Sequence, residues 1–197
     1  IQFRNYIGSG ANGEVWKCKI NNKFYAIKQV FQDWVRTSSD KKQYYKDIFD
    51  ELEICSKMYG KKRLMNVYGY TENNGDFYII SELLDNKGCL HTYLTDYDLG
   101  YYDRLIIFKS ILKAVKDLHD INIVHGDLKT ENMVYYYDYN NNTKYVKLID
   151  FNTTYNINDN EEINIPFVHG TYGYCAIEQH KKKLTKDQLK KYKKLFS

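Results

Sequence analysis

The sequence has no closely spaced cysteines, a single proline and no long apolar run, and each shortage bears on what the protein can be. Cys18, Cys55, Cys89 and Cys175 are far apart and form no C-x-x-C pair. Neither a zinc site nor a disulfide framework is therefore suggested, and reduced thiols in an intracellular, cytoplasmic protein are the simple expectation. No stretch approaches the roughly 20 apolar residues of a membrane-spanning helix, and no signal peptide is visible. The first residue is Ile1 and not Met, which points to an excised piece whose targeting signals could have been lost. Proline occurs once while lysine, asparagine and tyrosine abound and arginine is scarce. That imbalance reads as the coding bias of an AT-rich genome, not as a function.

What is present suffices for a folded protein. A hydrophobic fraction of 43% and an aromatic fraction of 16% argue against wholesale disorder. A chain of 197 residues makes one domain of ordinary size, or two small lobes sharing a cleft. The net charge of +4 is misleading, because residues 179–197 hold eight lysines and one aspartate, or +7, leaving −3 for the rest. The basic character belongs to a tail, and no nucleic-acid-binding surface is expected on the body. Leu184, Leu189, Tyr192, Leu195 and Phe196 among those lysines read as a solvated helix face, with contact to an acidic partner or a membrane surface as the alternative.

The chemistry concentrates in two stretches. An apolar run, Ile121 to Val124, delivers His125, Asp127, Lys129 and Asn132; a β-rich run, Tyr145 to Ile149, delivers Asp150. Asp127, Asn132 and Asp150 offer oxygens suited to a hard cation such as Mg2+, and Lys129 adds a fixed positive charge. Carboxylates, an amide and an ammonium at the ends of apolar segments suit phosphoryl transfer, which depends on positioning and charge neutralisation.

Near the N-terminus, Ile7-Gly8-Ser9-Gly10-Ala11-Asn12-Gly13-Glu14-Val15 forms a G-x-G-x-x-G-x-V loop. Its glycines would let backbone N–H groups approach phosphate oxygens, although a plain hairpin with glycine turns gives the same pattern. A dinucleotide-binding fold would need a helix next. Residues 14–20 instead alternate as a strand, with Asn21-Asn22 as a hairpin turn. Lys28 lies in the following apolar strand, where an unpaired ammonium is costly to bury. Residues 33–43 read as a loop. Tyr44 to Met58 reads as a helix carrying Tyr45, Ile48, Phe49, Leu52, Cys55 and Met58 on its apolar side, and Glu51 and Glu53 compete as partners for Lys28.

Taken together, these motifs resemble the eukaryotic-type protein kinases. His125 to Asn132 is similar to their H-x-D-L-K-x-x-N catalytic loop, and Ile149-Asp150-Phe151 to the start of D-F-G. Gly170 to Glu178 resembles the G-T-x-x-Y-x-A-P-E signature with Ile177 in place of proline. The resemblance implies an α+β, bilobal fold. Residues 1–83 would form an N-lobe of antiparallel sheet plus one helix, 84–178 a mainly helical and incomplete C-lobe, and 179–197 a basic tail beyond the resemblance.

It also implies roles. Asp127 would accept or orient a substrate hydroxyl proton and Lys129 would stabilise the transferring group, while Asn132 and Asp150 would hold Mg2+. Gly8, Gly10, Gly13, Val15, Ala26, Lys28, Glu51, Glu82, Leu84 and Val134 would bind ATP, with Glu51 chosen over Glu53 by the family pattern. Glu82 to Asp85 would grip the adenine edge by its backbone, and Ser81 would leave an open back pocket. His125 would pack with Phe151 and Cys55 rather than act as an acid or base. A lysine two residues after the aspartate resembles the Ser/Thr-specific branch.

Gly126 stands where the family has an arginine that binds a phosphorylated segment, so weak or no dependence on phosphorylation is expected, with Thr153, Thr154 and Tyr155 as candidate sites. Asn152 replaces the glycine after Asp-Phe and tolerates a left-handed conformation. From Leu64 to Tyr70 and Asp76 to Ser81 two strands are expected, joined at Asn73-Asn74-Gly75. After a short helix at Leu90 to Leu94, a long one is expected with Asp103 as N-cap and Leu105, Ile106, Phe108, Ile111, Leu112, Val115 and Leu118 buried. Met133 to Tyr135 should pair with Val146 to Leu148.

The expected activity is phosphoryl transfer from ATP to Ser/Thr hydroxyls of proteins, with a further partner protein covering the incomplete lobe. Two other readings stand beside it: a kinase-like binding module that docks on another kinase, and a small-molecule phosphotransferase, which also carries H-G-D. The complete set Lys28, Glu51, Asp127, Lys129, Asn132 and Asp150 argues against the first, although the truncation and the basic tail favour it. Lys129 and the Gly170 to Glu178 signature argue against the second.

Overall fold

A computed structural model describes residues 2–10, 13–32, 35–84, 88–138, 140–157, 170–171 and 174. The basic tail, Asp85, Glu178 and most of the Gly170 to Glu178 signature lie outside the described residues. The chain forms two lobes. Strands β1 (Gln2–Gly10), β2 (Gly13–Ile20), β3 (Lys23–Val30), β4 (Val67–Asn73) and β5 (Asp76–Glu82) make one antiparallel sheet in the order β1-β2-β3-β5-β4. Two of its short turns are chemically determined. Asn21 and Asn22 adopt φ of 46° and 63°, and Asn74-Gly75 adopt 53° and 88°, a pairing of left-handed residues that matches the twist of the flanking strands.

Helix α1 (Ser38–Met58) begins inside the stretch expected to be a loop. The cause is a capping box. Asp40 N donates to Thr37 Oγ1, and the Asp40 carboxylate accepts from Thr37 N, an arrangement that stabilises a helix start by about 1 kcal/mol. The buried stripe of α1 is Tyr44, Ile48, Cys55 and Met58. Phe49, expected to be buried, is 44% exposed. Tyr44 and Ile48 pack on Phe77 and Ile79 of the sheet. Cys55 and Met58 belong to a second cluster with Leu64, Leu118, Ile123, Leu148 and Phe151. One helix thus enters the cores of both lobes.

The second lobe contains α2 (Leu90–Asp96), α3 (Tyr101–His119), β6 (Ile123–Val124), a 3-10 turn at Thr130–Asn132, β7 (Met133–Asp138), β8 (Thr143–Leu148) and β9 (Tyr155–Asn156). The pairing of β7 with β8 runs from Met133↔Leu148 to Asp138↔Thr143. Two expectations about α3 are corrected. Its N-cap is Gly100, with Asp103 in the first turn. Its buried face is Ile107, Ser110, Ala114 and Leu118, whereas Leu105, Ile106, Phe108 and Leu112 are exposed. Ser110 and Ala114 let β8 approach closely, and Val146 N donates to Ser110 Oγ at 2.6 Å.

The chain after α1 stitches the lobes together. Leu64 does not begin a strand of the sheet as expected; it forms a parallel bridge with Leu148, with Leu148 N donating to Arg63 O and Met65 N to Leu148 O. Beside it lies an ion pair that alternation in β8 would have sent to solvent. Lys147, 4% exposed, reaches Glu82 Oε1 at 2.5 Å, and the same oxygen accepts from Asn66 N at 2.7 Å.

Candidate active site

Helix α1 decides which glutamate faces the sheet. Ile48 and Cys55 are both buried and seven residues apart, and Glu51 falls on the stripe between them. Glu53 points outward and pairs with Lys57 at 2.8 Å. Lys28 in β3 is flanked in register by Val15 and Ile79. Its Nζ lies 3.9 Å from Glu51 Oε1 and donates to Asp150 Oδ1 at 2.9 Å. Burial alone would lower the Lys28 pKa, but the Glu51 and Asp150 carboxylates outweigh it and hold the value above that of an ordinary lysine. Burial raises the Glu51 carboxyl, which the attraction of Lys28 only partly offsets.

Asp150 itself sits at φ +60°, a conformation that costs a non-glycine residue about 1 kcal/mol. Asn152, which would tolerate such a conformation, is not in that region. The turn at Asp150 has a local cause. Ile149 N donates to Asn132 O at 3.0 Å, so the chain must turn at Asp150 to present its carboxylate to Lys28.

The second half of the site is a hydrogen-bond net around Asp127. Asp127 Oδ2 is 2.7 Å from Lys129 Nζ and accepts from Asn132 Nδ2 at 3.1 Å. Asp127 Oδ1 accepts from both Thr171 N and Thr171 Oγ1 at 2.9 Å, and Lys129 Nζ donates to Thr171 Oγ1 at 2.8 Å. Burial pushes the Asp127 pKa up, but the bonds from Lys129 and Thr171 prevail and hold it below the usual carboxylate range. Thr171 was absent from the expected site residues; the signal for it was the hydroxyl in the Gly170-Thr171-x-x-Tyr174 motif.

His125 is buried against Phe151, with ring centroids 5.6 Å apart. Asp127 N donates to its Nδ1 at 3.4 Å, so Nε2 carries the hydrogen and donates to Ile149 O at 3.1 Å. Burial lowers the His125 pKa below the ordinary imidazole value. The ring is neutral and structural, in line with the expectation.

The remaining expected positions divide. A Cβ at Gly8 or Gly10 would meet nothing within 4 Å, leaving room above the loop; a Cβ at Gly13 would lie 2.2 Å from Gln29 O, so packing against β3 alone demands glycine there. Ala26 and Val134 are buried and Val15 and Leu84 half-buried. Ser81 is 6% exposed and its hydroxyl donates to Ala26 O. Glu82 is engaged within the protein, since its amide donates to Asn66 O at 2.9 Å and its carboxylate is held by Lys147 and Asn66.

A family model for the protein kinase domain matches residues 1–190. The chain belongs to the protein kinase family. The match runs beyond Glu178, where the motif resemblance was expected to stop, and takes in part of the lysine-rich segment. Among similar proteins is Calcium-dependent protein kinase 22 of Arabidopsis thaliana, 28% identical over 144 residues, 68% of this chain and 27% of that protein. Serine/threonine-protein kinase PSK1 of Saccharomyces cerevisiae is 28% identical over 158 residues, 74% of this chain and 11% of that protein. A probable LIM domain-containing serine/threonine-protein kinase of Dictyostelium discoideum is 30% identical over 186 residues, 92% of this chain and 26% of that protein. The chain thus spans between about a tenth and about a quarter of the length of these relatives.

A kinase domain implies a nucleotide and a divalent cation. Among the described residues no group of three or more His, Cys, Asp or Glu could hold a metal unaided. Asn132 turns its amide nitrogen toward Asp127, so its carbonyl oxygen is the atom that would face a cation. Among the described residues no helix is long and apolar enough to cross a membrane.

Proposed function

We propose that this protein is an ATP- and Mg2+-dependent kinase that phosphorylates Ser/Thr hydroxyls of proteins. The observation that carries the reading is the 2.9 Å contact between Lys28 of the sheet lobe and Asp150 of the second lobe, with the Asp127 net beside it. A nucleotide between the lobes, near residue 83 where the chain passes from one to the other, would lie under the loop of Gly8, Gly10 and Gly13. Val15, Ala26 and Val134 would enclose its base, Leu84 would lie at the base edge, and Lys28 would hold its phosphates.

Bound Mg2+, held by Asn132 and Asp150, would neutralise charge on the phosphates. The substrate hydroxyl oxygen attacks the γ-phosphorus, the bond to the β-phosphate oxygen breaks, and ADP leaves. Asp127 orients that hydroxyl and takes its proton. The bonds from Lys129, Asn132 and Thr171 fix its carboxylate for both tasks. Lys129, anchored on Asp127, balances charge on the moving group.

Lys129 and the hydroxyl of Thr171, both bonded to Asp127, favour a protein substrate over a small alcohol. The test is incubation with labelled ATP, Mg2+ and a generic basic protein, followed by acid hydrolysis. Label on phosphoserine or phosphothreonine that vanishes in Asp150→Ala supports the proposal. ATP binding without transfer would favour a docking module instead.

A further inference from the structure

We propose that Thr153, seated against Gly126, is a positioning residue that sets the catalytic loop. The argument begins with close packing. Gly126 adopts φ +82°, and a Cβ built there would lie 2.3 Å from Thr153 O and 3.2 Å from Thr153 Cβ. Both the conformation and the contact therefore demand glycine. Beside that contact, Thr153 Oγ1 donates to His125 O at 2.9 Å. The two residues that precede Asp127 are thus fixed by one threonine, through its backbone at Gly126 and its hydroxyl at His125.

The surrounding backbone makes the contact a seam. Ile123 pairs with Asn156 and Val124 with Tyr155, and Ile157 N donates to Asn122 O at 2.8 Å. Thr154 N donates to Phe151 O at 3.1 Å, folding the chain back after Phe151. Residues 151–157 are zipped onto 122–126 by uncharged bonds, with Thr153 as the side chain that reaches across. An arginine at position 126 would find no space for even its first carbon.

The hydroxyl of Thr153 is a structural donor in this geometry. A phosphate on it would remove the donated proton and set negative charge against the His125 carbonyl, so modification there opposes activity. The inference rests on the kinase reading of the site but goes beyond it, because it assigns roles to Gly126 and Thr153 that the motifs do not contain. Asp127 is the group through which Thr153 acts, since a loop displaced by an ångström misplaces the carboxylate from the substrate hydroxyl.

The experiment uses the full chain and the variants Thr153→Val, Thr153→Ser, Gly126→Ala and Gly126→Arg. It measures kcat, KM and Kd for Mg-ATP, and amide hydrogen exchange of residues 122–127. Thr153→Val is expected to lower kcat by about ten-fold or more, from misplacement alone, while Kd for Mg-ATP stays within about two-fold of the parent on the same grounds. Thr153→Ser, which keeps the hydroxyl, is expected to recover most of the rate. Both Gly126 variants are expected to lose activity, arginine included, and the valine variant should exchange residues 122–127 faster.

A Thr153→Val protein with undiminished kcat and unchanged exchange overturns the proposal, as does an active Gly126→Arg. Parallel loss of kcat, ATP binding and melting temperature in Thr153→Val and Thr153→Ser alike would also overturn it, as the mark of a general packing role. If the parent chain itself transfers no phosphate, the kinase reading falls, and the exchange difference alone decides whether the seam holds the loop.

Discussion

The two halves of the site are built on different principles. The Lys28, Glu51 and Asp150 half spans the lobes with ion pairs, one short and one at 3.9 Å, and no residue in it is near its partners in sequence. The Asp127 half lies within one lobe. Four donor atoms, from Lys129, Asn132 and Thr171, converge on two carboxylate oxygens. The first arrangement depends on how the lobes are held, and a small rotation would break it. The second is over-determined, so its geometry survives the loss of a single bond. A nucleotide that must enter and leave belongs with the adjustable half; a base that must be ready belongs with the rigid one.

Breaking the rigid half at its centre should have the largest effect. Asp127→Asn keeps the shape but removes the proton acceptor, and kcat should fall about 1,000-fold in the transfer assay while Mg-ATP still binds. Retained turnover would show that the net is only structural. Next in size is the clamp behind the adjustable half. Lys147→Met leaves the half-buried Glu82 with Asn66 alone, and breaking a pair with one buried partner costs about 2 kcal/mol. Urea unfolding should register that loss, and an unchanged midpoint would mean that the lobes do not rely on the pair.

Glu51→Gln should be milder. It removes the more distant carboxylate from Lys28, leaves the contact to Asp150, and should weaken kcat/KM about ten-fold, as a single charged contact does. An effect as large as that of Asp127→Asn would erase the distinction between the halves.

The smallest expected effect is on pH dependence. Burial lowers the His125 pKa in the folded state, so the unfolded chain binds the proton more readily. The stability from the neutral ring is complete above the ordinary imidazole value and is lost as pH falls through the lowered one. His119 is lowered by burial in the same direction, so the difference between parent and His125→Asn isolates the buried ring. The parent's melting temperature should fall more steeply below about pH 6.5; equal slopes would remove His125 from the rigid half.

Most of the rigid half was legible in the sequence because its chemistry is local; Thr171, which reaches Asp127 from far along the chain, was not. Asp127, Lys129 and Asn132 fall within six residues, and their spacing already places them at one loop. Lys28 and Glu51 were legible as residue types in a strand and on a helix stripe, and the fold shows why Glu53 is excluded. Other features depend on contacts that no short pattern encodes. Helix α3 carries two apolar faces, and the buried one is chosen by the small residues Ser110 and Ala114, which a search for large apolar side chains passes over. Lys147 lies in a strand where a lysine reads as solvent-facing, and only the return of Glu82 beside it explains its burial. Gly126 stood out as a departure, but the carbonyl of Thr153 that excludes its Cβ comes from 27 residues further along the chain.

The most direct test of the central claim, that a Mg-nucleotide binds against Lys28 and Asp150, is calorimetric titration of ATP into the parent chain and Asp150→Ala, each with and without Mg2+. ATP should bind the parent at least about ten-fold more tightly with Mg2+, as a metal bridging carboxylate and phosphates requires, and that gain should disappear in Asp150→Ala. An equal Mg2+ effect in both proteins, or no ATP binding by the parent, would contradict the account.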